Sequence, residues 1–517
     1  MNRLVLILPT LLLAVSTWAG DIVVRPGESL HDALRQAREW RRTNDARCAG
    51  GINIVLQGGQ HLMSEPLLIR PEDSGTATSP TIIRGTDGAI LCGDLPQQHT
   101  QLFPKEGMER LIGFDVTHRT ITIPTPPKSV LREKNLEMVV HQRWAIAILR
   151  VKEMKVRGDE TDVTFLEPES RLEFEHPWPQ PVIGGEKGNS SFLLRTTEKR
   201  DGIEQLVVVE GTEETPVRYV TFENLQFANT CWNRPLHKGH VTLQGGFPIL
   251  DAYKLQQEGL PWAATLENQA WVERPVAAVS VSWADHVDFR QCTFTHLAST
   301  ALDYTIGISD CTIEGNTFSH IGGTAILAGS FAEHPREVHR PYGHLARLCQ
   351  RLSIRGNHIS EAATEDWGAV GIGCGYVRDL TIDNNDVSGV NYSGICVGWG
   401  WTPLYTGMEH NRITGNTVKN YARQLYDAGG IYTLSNQPGS VISDTIIGAP
   451  YPAPYATNNR GFRIYLDART DGFTIENNKT PVVDGSPVNK KDADALRLIR
   501  RDEIGDNHPG PNLIFKQ

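Results

Sequence analysis

One short phrase returns again and again between about Val287 and Asn478: an apolar residue, an Asn just after it, a second apolar residue, then a turn. Its copies are Ile313 to Phe318 around Asn316, Ile354 to Ile359 around Asn357, Ile382 to Val387 around Asn385, Ile413 to Val418 around Asn416, and Ile475 to Asn478. The period is irregular, roughly 22 to 40 residues, the length of one solenoid turn with or without an inserted loop. Two or three short strands cannot bury an apolar face alone, so consecutive units must stack into one continuous core. The phrase therefore predicts an all-β chain wound as a parallel β-helix. Asn tolerates the left-handed backbone of a tight bend, and its amide is suited to bond the equivalent Asn one coil away. Gly322-Gly323, Gly371, Gly394 and Gly429-Gly430 supply corners that need positive φ. A β-sandwich with Asn-Gly hairpins is the competing arrangement, and the long intervals between strands argue against it.

The phrase divides the chain. Residues 1–19 carry Arg3, an apolar run from Leu4 to Val15 and small residues up to Ala19, the plan of a cleaved secretory leader too short to span a bilayer. A secreted or periplasmic protein with no membrane span is expected. Residues 20–94 read as an N-terminal cap and the first coils. Within them, Ser29 opens an amphipathic helix to about Arg42, with Leu30, Ala33, Leu34 and Ala37 on one face, placed to cover the terminal coil. Across 95–217 the Asn phrase gives way to alternating strands such as Met138 to Val140 and Leu206 to Val209, an inserted antiparallel β module. The main solenoid is expected over 218–478, interrupted from Asn229 to Pro275 by an excursion containing Trp232, His237, Trp262 and Trp271. Residues 479–517 form a cap or tail, with a short helix expected over 492–501. Long excursions on a rigid repeat scaffold tend to carry function.

A formal net charge of -10 over 517 residues, with no basic run, leaves no footprint for nucleic acid. The eight cysteines would suffice for four disulfides in an oxidising compartment. Cys292, Cys311, Cys374 and Cys396 nevertheless fall inside strand phrases and read as small core residues. No Cys-x-x-Cys or His/Cys pairing points to zinc, and neither metal nor cofactor is expected. A monomer is expected.

Candidate chemistry lies where acids interrupt strands without a turn to explain them. Asp427 precedes Ile431-Tyr432, and Asp467 follows Ile464-Tyr465. The two are about 40 residues apart, one coil plus a loop, so the Ile-Tyr pairs should stack and both acids flank one groove. Glycosidic hydrolysis needs such a pair, one carboxyl to protonate the leaving oxygen and one to act as nucleophile or to activate water. Each Asp taken singly is equally explained by backbone bonding in a turn. Trp367, Trp399, Trp401, Tyr392, Tyr432 and Tyr465 lie on the same coils. Aromatic faces suit sugar rings, as carboxylates and amides suit sugar hydroxyls. Trp399, Trp401, Tyr432, Trp367, Asp366 and Asp303 are the candidate substrate-binding residues. His296 is a further candidate for a hydroxyl, and the loop from Phe331 to His344, with His334, Arg336, His339 and Arg340, for an acidic sugar.

Several stretches together resemble a known family: Glu72 to Gly75, Val140 to Trp144, Glu167 to Ser170, Tyr392 to Ile395 with Gly398 to Trp401, Asp427 to Tyr432 with Gln437 to Gly439, and Ile464 to Asp467. The combination resembles secreted right-handed β-helix proteins of glycoside hydrolase family 141 over nearly the whole chain after the leader. That resemblance implies α-L-fucosidase or xylan-cleaving activity on plant cell-wall polysaccharide, pectin side chains being the setting for a fucosidase. It also implies a catalytic Asp pair at Asp427 and Asp467. Two other activities fit the same scaffold: a polysaccharide lyase, which requires a base and neutralisation of a uronate, and a non-catalytic carbohydrate-binding solenoid.

Overall fold

The computed structural model describes residues 20–93, 98–175, 179–197, 202–251, 271–331, 345–451, 461–484 and 495–516. The expected leader at 1–19, Trp262 and the basic residues between His334 and Arg340 lie outside them. Three parallel sheets run the length of the molecule, each adding one strand per coil. The predicted parallel β-helix is thus the fold. Successive coils are in register, with Ile313 over Ile354 over Ile382 over Ile413 over Ile442 over Ile475. Inward side chains fill a single core in which like residues stack, as in Phe227 on Phe294 at 4.8 Å and Phe294 on Phe318 at 4.6 Å.

The Asn phrase is a ladder of side-chain amides. Asn316 Nδ2 donates to Asn357 Oδ1 at 3.0 Å, Asn357 to Asn385 at 2.9 Å, and Asn385 to Asn416 at 3.0 Å. Each Oδ1 also accepts a backbone N–H from the coil before, so buried corners that could not reach water are satisfied from within. Cys292 and Thr445 hold the same place in their coils, which is why the phrase is interrupted there. Two expectations are corrected: Gly322, Gly323, Gly371, Gly394, Gly429 and Gly430 do not have positive φ but lie where a Cβ would press on neighbouring atoms, and the left-handed residue is not the ladder Asn but the one before it. Gly315, Gly356, Asn384, Gly415 and Asn477 take φ of 64°, 62°, 55°, 62° and 55°. Glycine and asparagine occupy that position because it has positive φ.

At the N-terminus the helix Leu30–Arg42 lays Leu30, Ala33, Leu34, Ala37 and Trp40 on the first coil, and the Ser29 side chain accepts from Asp32 N–H. Farther along, Val207–Glu210, expected in the module, is a solenoid strand between Leu67–Ile69 and Ala277–Ser282. The module's own sheet runs from His99–Phe103 through Ser191–Thr197, Leu136–His141 and Ile146–Arg157. It then continues into His240–Leu243, Phe247–Asp251 and Trp271–Val272. The excursion after Asn229 therefore completes the module. A second apolar core lies between this sheet and the outer face of the solenoid, reaching Leu327, Trp399, Tyr432 and Tyr465.

Beyond Asn478 the winding continues, with Ile504–Asp506 beside Gly461–Leu466 and Ile514–Lys516 beside Asp471–Glu476. Leu496–Leu498, part of the stretch expected to be helical, is a strand paired with Lys479–Pro481. All eight cysteines are free; Cys292, Cys311 and Cys374 are buried as expected, whereas Cys396 faces outward and is half-buried. Among the described residues no helix is long and apolar enough to cross a membrane.

Candidate active site

Strand register explains why the two acids meet. In the sheet that faces the module, Ile431, Tyr432 and Thr433 lie beside Ile464, Tyr465 and Leu466. Alternation sends Ile431, Ile464 and Leu466 into the solenoid core and both tyrosines outward. One outward column reads Asp303, Leu327, Gly373, Cys396, Tyr432, Tyr465. Small residues at Gly373 and Cys396 leave a hollow beside the Tyr432 ring, which meets that of Tyr465 edge to face at 5.3 Å.

The tyrosines and acids pair crosswise between the two coils. The Tyr465 hydroxyl donates to Asp427 Oδ1 at 2.9 Å. The Tyr432 hydroxyl donates to Asp467 Oδ2, whose other oxygen accepts from Asn507 Nδ2 at 2.8 Å. Asp427 sits just before its strand with φ of 61°, half-buried, while Asp467 follows its own and is 6% exposed. Both flank the same pair of rings on the same outer face.

A residue that sequence reasoning did not select ties this group to the module. Gln244, in the turn after His240–Leu243, donates from one amide nitrogen to the Tyr392 hydroxyl at 2.9 Å and to the Tyr432 hydroxyl at 2.7 Å. Those hydroxyls must then send their own hydrogens onward, Tyr432 to Asp467 and Tyr392 to the Asp427 carbonyl at 3.0 Å. Burial first, and then the neighbouring carboxylates, raise Tyr392 and Tyr432 well above the ordinary tyrosine range. Both therefore remain neutral donors at any physiological pH. The signal in the sequence was a Gln before Gly245-Gly246 between two apolar strand phrases. Asn507 was missed because it lies where the repeat had stopped being readable.

The aromatic candidates divide. Trp399 joins Tyr392, Tyr432, Gln244 and Phe331 around a cavity of about 30 Å³, room for a single water. Its indole N–H is buried and finds no partner among the described residues. Trp401 packs edge to face on Trp399 at 4.6 Å. Trp367 is half-buried against the solenoid core.

Asp303 and Asp366 are not gathered with the tyrosines, and both are engaged by protein partners. Arg274 clamps both oxygens of Asp303 at 2.6 Å. Asp366 meets His240 Nε2 at 2.8 Å and accepts from Gly368 N–H, close beside Gly246. It thus braces the strand and turn that present Gln244 instead of presenting itself to a ligand. His296 is exposed and stacks on His320 at 4.7 Å. From the module, the Gln142–Ala145 turn also reaches this region. His141 Nε2 bonds the Gln424 carbonyl at 2.7 Å, just ahead of Asp427, and its ring lies 6.5 Å from that of Tyr426. Among the described residues no group of three or more His, Cys, Asp or Glu is arranged to hold a metal ion.

Comparison with known proteins agrees with this architecture. Residues 98–200 match the family of the GH141 insertion domain, and residues 342–485 that of the right-handed β-helix region. A solved structure described as a glycoside hydrolase is 32% identical, with a TM-score of 0.86, and the match covers 96% of each chain. A complex of XylC with xylose is distant, at 11% identity and TM-score 0.37 over 89% of this chain and 71% of that one. So is the A-module of Azotobacter vinelandii mannuronan C-5 epimerase AlgE6, at 11% identity and TM-score 0.33 over 94% and 93%. No curated protein matches. With a solenoid, an insertion module and a full-length relative all in agreement, the chain belongs to the glycoside hydrolase family 141-like right-handed β-helix proteins, a group of carbohydrate-active enzymes.

Proposed function

We propose that this glycoside hydrolase acts on plant cell-wall polysaccharide, as an α-L-fucosidase of pectin side chains or as a xylan-cleaving enzyme, through Asp427 and Asp467. The observation that carries the reading is the crosswise pairing, Tyr432 to Asp467 and Tyr465 to Asp427, which sets two carboxyl groups around one outward-facing ring pair. In this reading Asp467, both of whose oxygens accept hydrogen bonds, is the nucleophile or base. Asp427, the more open of the two, is the proton donor to the leaving oxygen. Gln244 and the tyrosines hold the carboxyl groups in place, and Trp399 and Trp401 border the same region. One chain supplies both acids, so a monomer suffices. The leader-like residues 1–19 support export, which N-terminal sequencing of the mature protein would test.

Hydrolysis of fucosylated and xylan oligosaccharides by the wild type, Asp427→Asn and Asp467→Asn tests the assignment. Each variant is expected to lose about 10²- to 10⁴-fold in kcat, the usual worth of a positioned proton donor or acceptor. Equal activity in all three would remove both residues from the mechanism. An unsaturated product absorbing in the ultraviolet would replace hydrolysis by elimination.

A further inference from the structure

Away from the Asp pair, the excursion encloses a cavity of about 260 Å³ between residues 232–240 and the segment 273–276. We infer that this cavity is a second, non-catalytic site that binds one monosaccharide unit through its hydroxyl groups. Two of the side chains that line it each carry a buried polar atom with no partner among the described residues, His240 Nδ1 and Arg234 Nε. The other edge of each side chain is already committed. His240 is 1% exposed and faces Asp366 through Nε2, and a carboxylate only accepts, so the ring hydrogen sits on Nε2 and Nδ1 offers a lone pair. Arg234 donates through Nη1 to Glu273, leaving its Nε–H. Burial keeps the His240 ring in its neutral form despite Asp366.

A ligand completing this arrangement must donate to one atom and accept from the other, and a sugar hydroxyl can do either. The rest of the wall combines an apolar part, Pro248, Pro275, Val276 and buried Trp232, whose ring meets that of His240 at 4.6 Å, with the polar side chains of Glu204, Asn233, His237, Glu273 and Arg274. An apolar face beside a few directed polar atoms is the surface a pyranose fits. Lys238 stands exposed at the rim.

The cavity is distinct from the proposed catalytic group. Arg274, which lines it, is clamped to Asp303, and Asp303 lies four strand steps from Tyr432 in the outward column. At about 4.8 Å per step that is about 19 Å, farther than one sugar ring reaches. The site is therefore suited to a neighbouring unit or branch of a polysaccharide.

Calorimetric titration of the full chain with fucose, xylose, galactose, galacturonate and inorganic phosphate tests the inference. At least one sugar is expected to bind saturably in the millimolar range. Its affinity should be the same in an Asp427→Asn/Asp467→Asn variant and at least about tenfold weaker in Arg234→Leu, whose partner Glu273 is exposed and can be solvated. Lys238→Trp, which narrows the rim without disturbing a buried pair, should weaken it as well and serves if Arg234→Leu folds poorly. Absence of sugar binding, binding untouched by the cavity variants, or a preference for phosphate would overturn the inference. Loss of hydrolysis with binding retained separates this site from the Asp pair.

Discussion

Replacing Glu173 by Gln is expected to stabilise the protein at neutral pH, by an amount that grows as the pH rises. Glu173 is 1% exposed on the helix Glu169–Glu175, and both its oxygens accept from Gln142 Nε2, at 2.8 and 2.9 Å. Burial pushes its carboxyl up to about 8 from an ordinary 4.5, with Gln142 opposing the rise. Below about pH 4.5 the group is protonated in both folded and unfolded chains and contributes no difference. Between 4.5 and 8 the unfolded chain releases a proton that the folded chain keeps, so stability falls with rising pH until the folded-state value is passed. At about 1.4 kcal/mol per pH unit the loss is about 3 kcal/mol at pH 7 and nears 5 kcal/mol above pH 8, ceilings that any entry of water reduces. An amide at this position has no proton to lose. Its oxygen still accepts from Gln142 Nε2, and its NH₂, which replaces the second oxygen, has to turn from Nε2 towards Gln142 Oε1, an acceptor with no partner among the described residues. Urea unfolding followed by tryptophan fluorescence should place wild type and Glu173→Gln within about 1 kcal/mol at pH 5 and about 1 to 3 kcal/mol apart at pH 7. Parallel profiles across that range would refute the reasoning.

Asn385→Ala removes the side chain that donates to Asn416 and to the Ile354 carbonyl and accepts from Asn357. It is expected to cost about 2 to 4 kcal/mol in denaturant unfolding. Asn385→Thr should cost less, since Thr445 already occupies that place two coils away. Gln244→Leu should lower kcat about 10- to 100-fold with little change in unfolding midpoint, because it frees two hydroxyls that aim at the Asp strands. Arg274→Met leaves Asp303 buried without its cation and should destabilise by about 3 to 5 kcal/mol, read by thermal or urea unfolding.

The solenoid was legible because its signal is local and repeated: each Asn and its flanking apolar residues report a corner whose needs recur in every coil. Register followed from the same phrase, which is how Tyr432 and Tyr465 could be stacked before any coordinates. The module escaped that logic. Its sheet joins Ile146–Arg157 to His240–Leu243, and nothing in an alternating strand states which distant strand it will pair with. Gln244 and Asn507 were invisible for the same reason, since each matters only through a neighbour brought by tertiary packing. Asp303 stood out as an acid in a strand and Asp366 as an acid after a loop, but either is equally explained by a buried cation or imidazole, and Arg274 and His240 were unremarkable in sequence.

The shared sheet also limits how this protein can be cut and recombined. Residues 98–200 are a portable unit by sequence, yet the strand that finishes their sheet and carries Gln244 arrives only after the chain has gone back to wind another coil. Excising the segment would leave His240–Leu243 as a bare edge, and grafting it onto another solenoid would deliver a cover without its latch. A working exchange between relatives has to move both stretches together, with the coil between them.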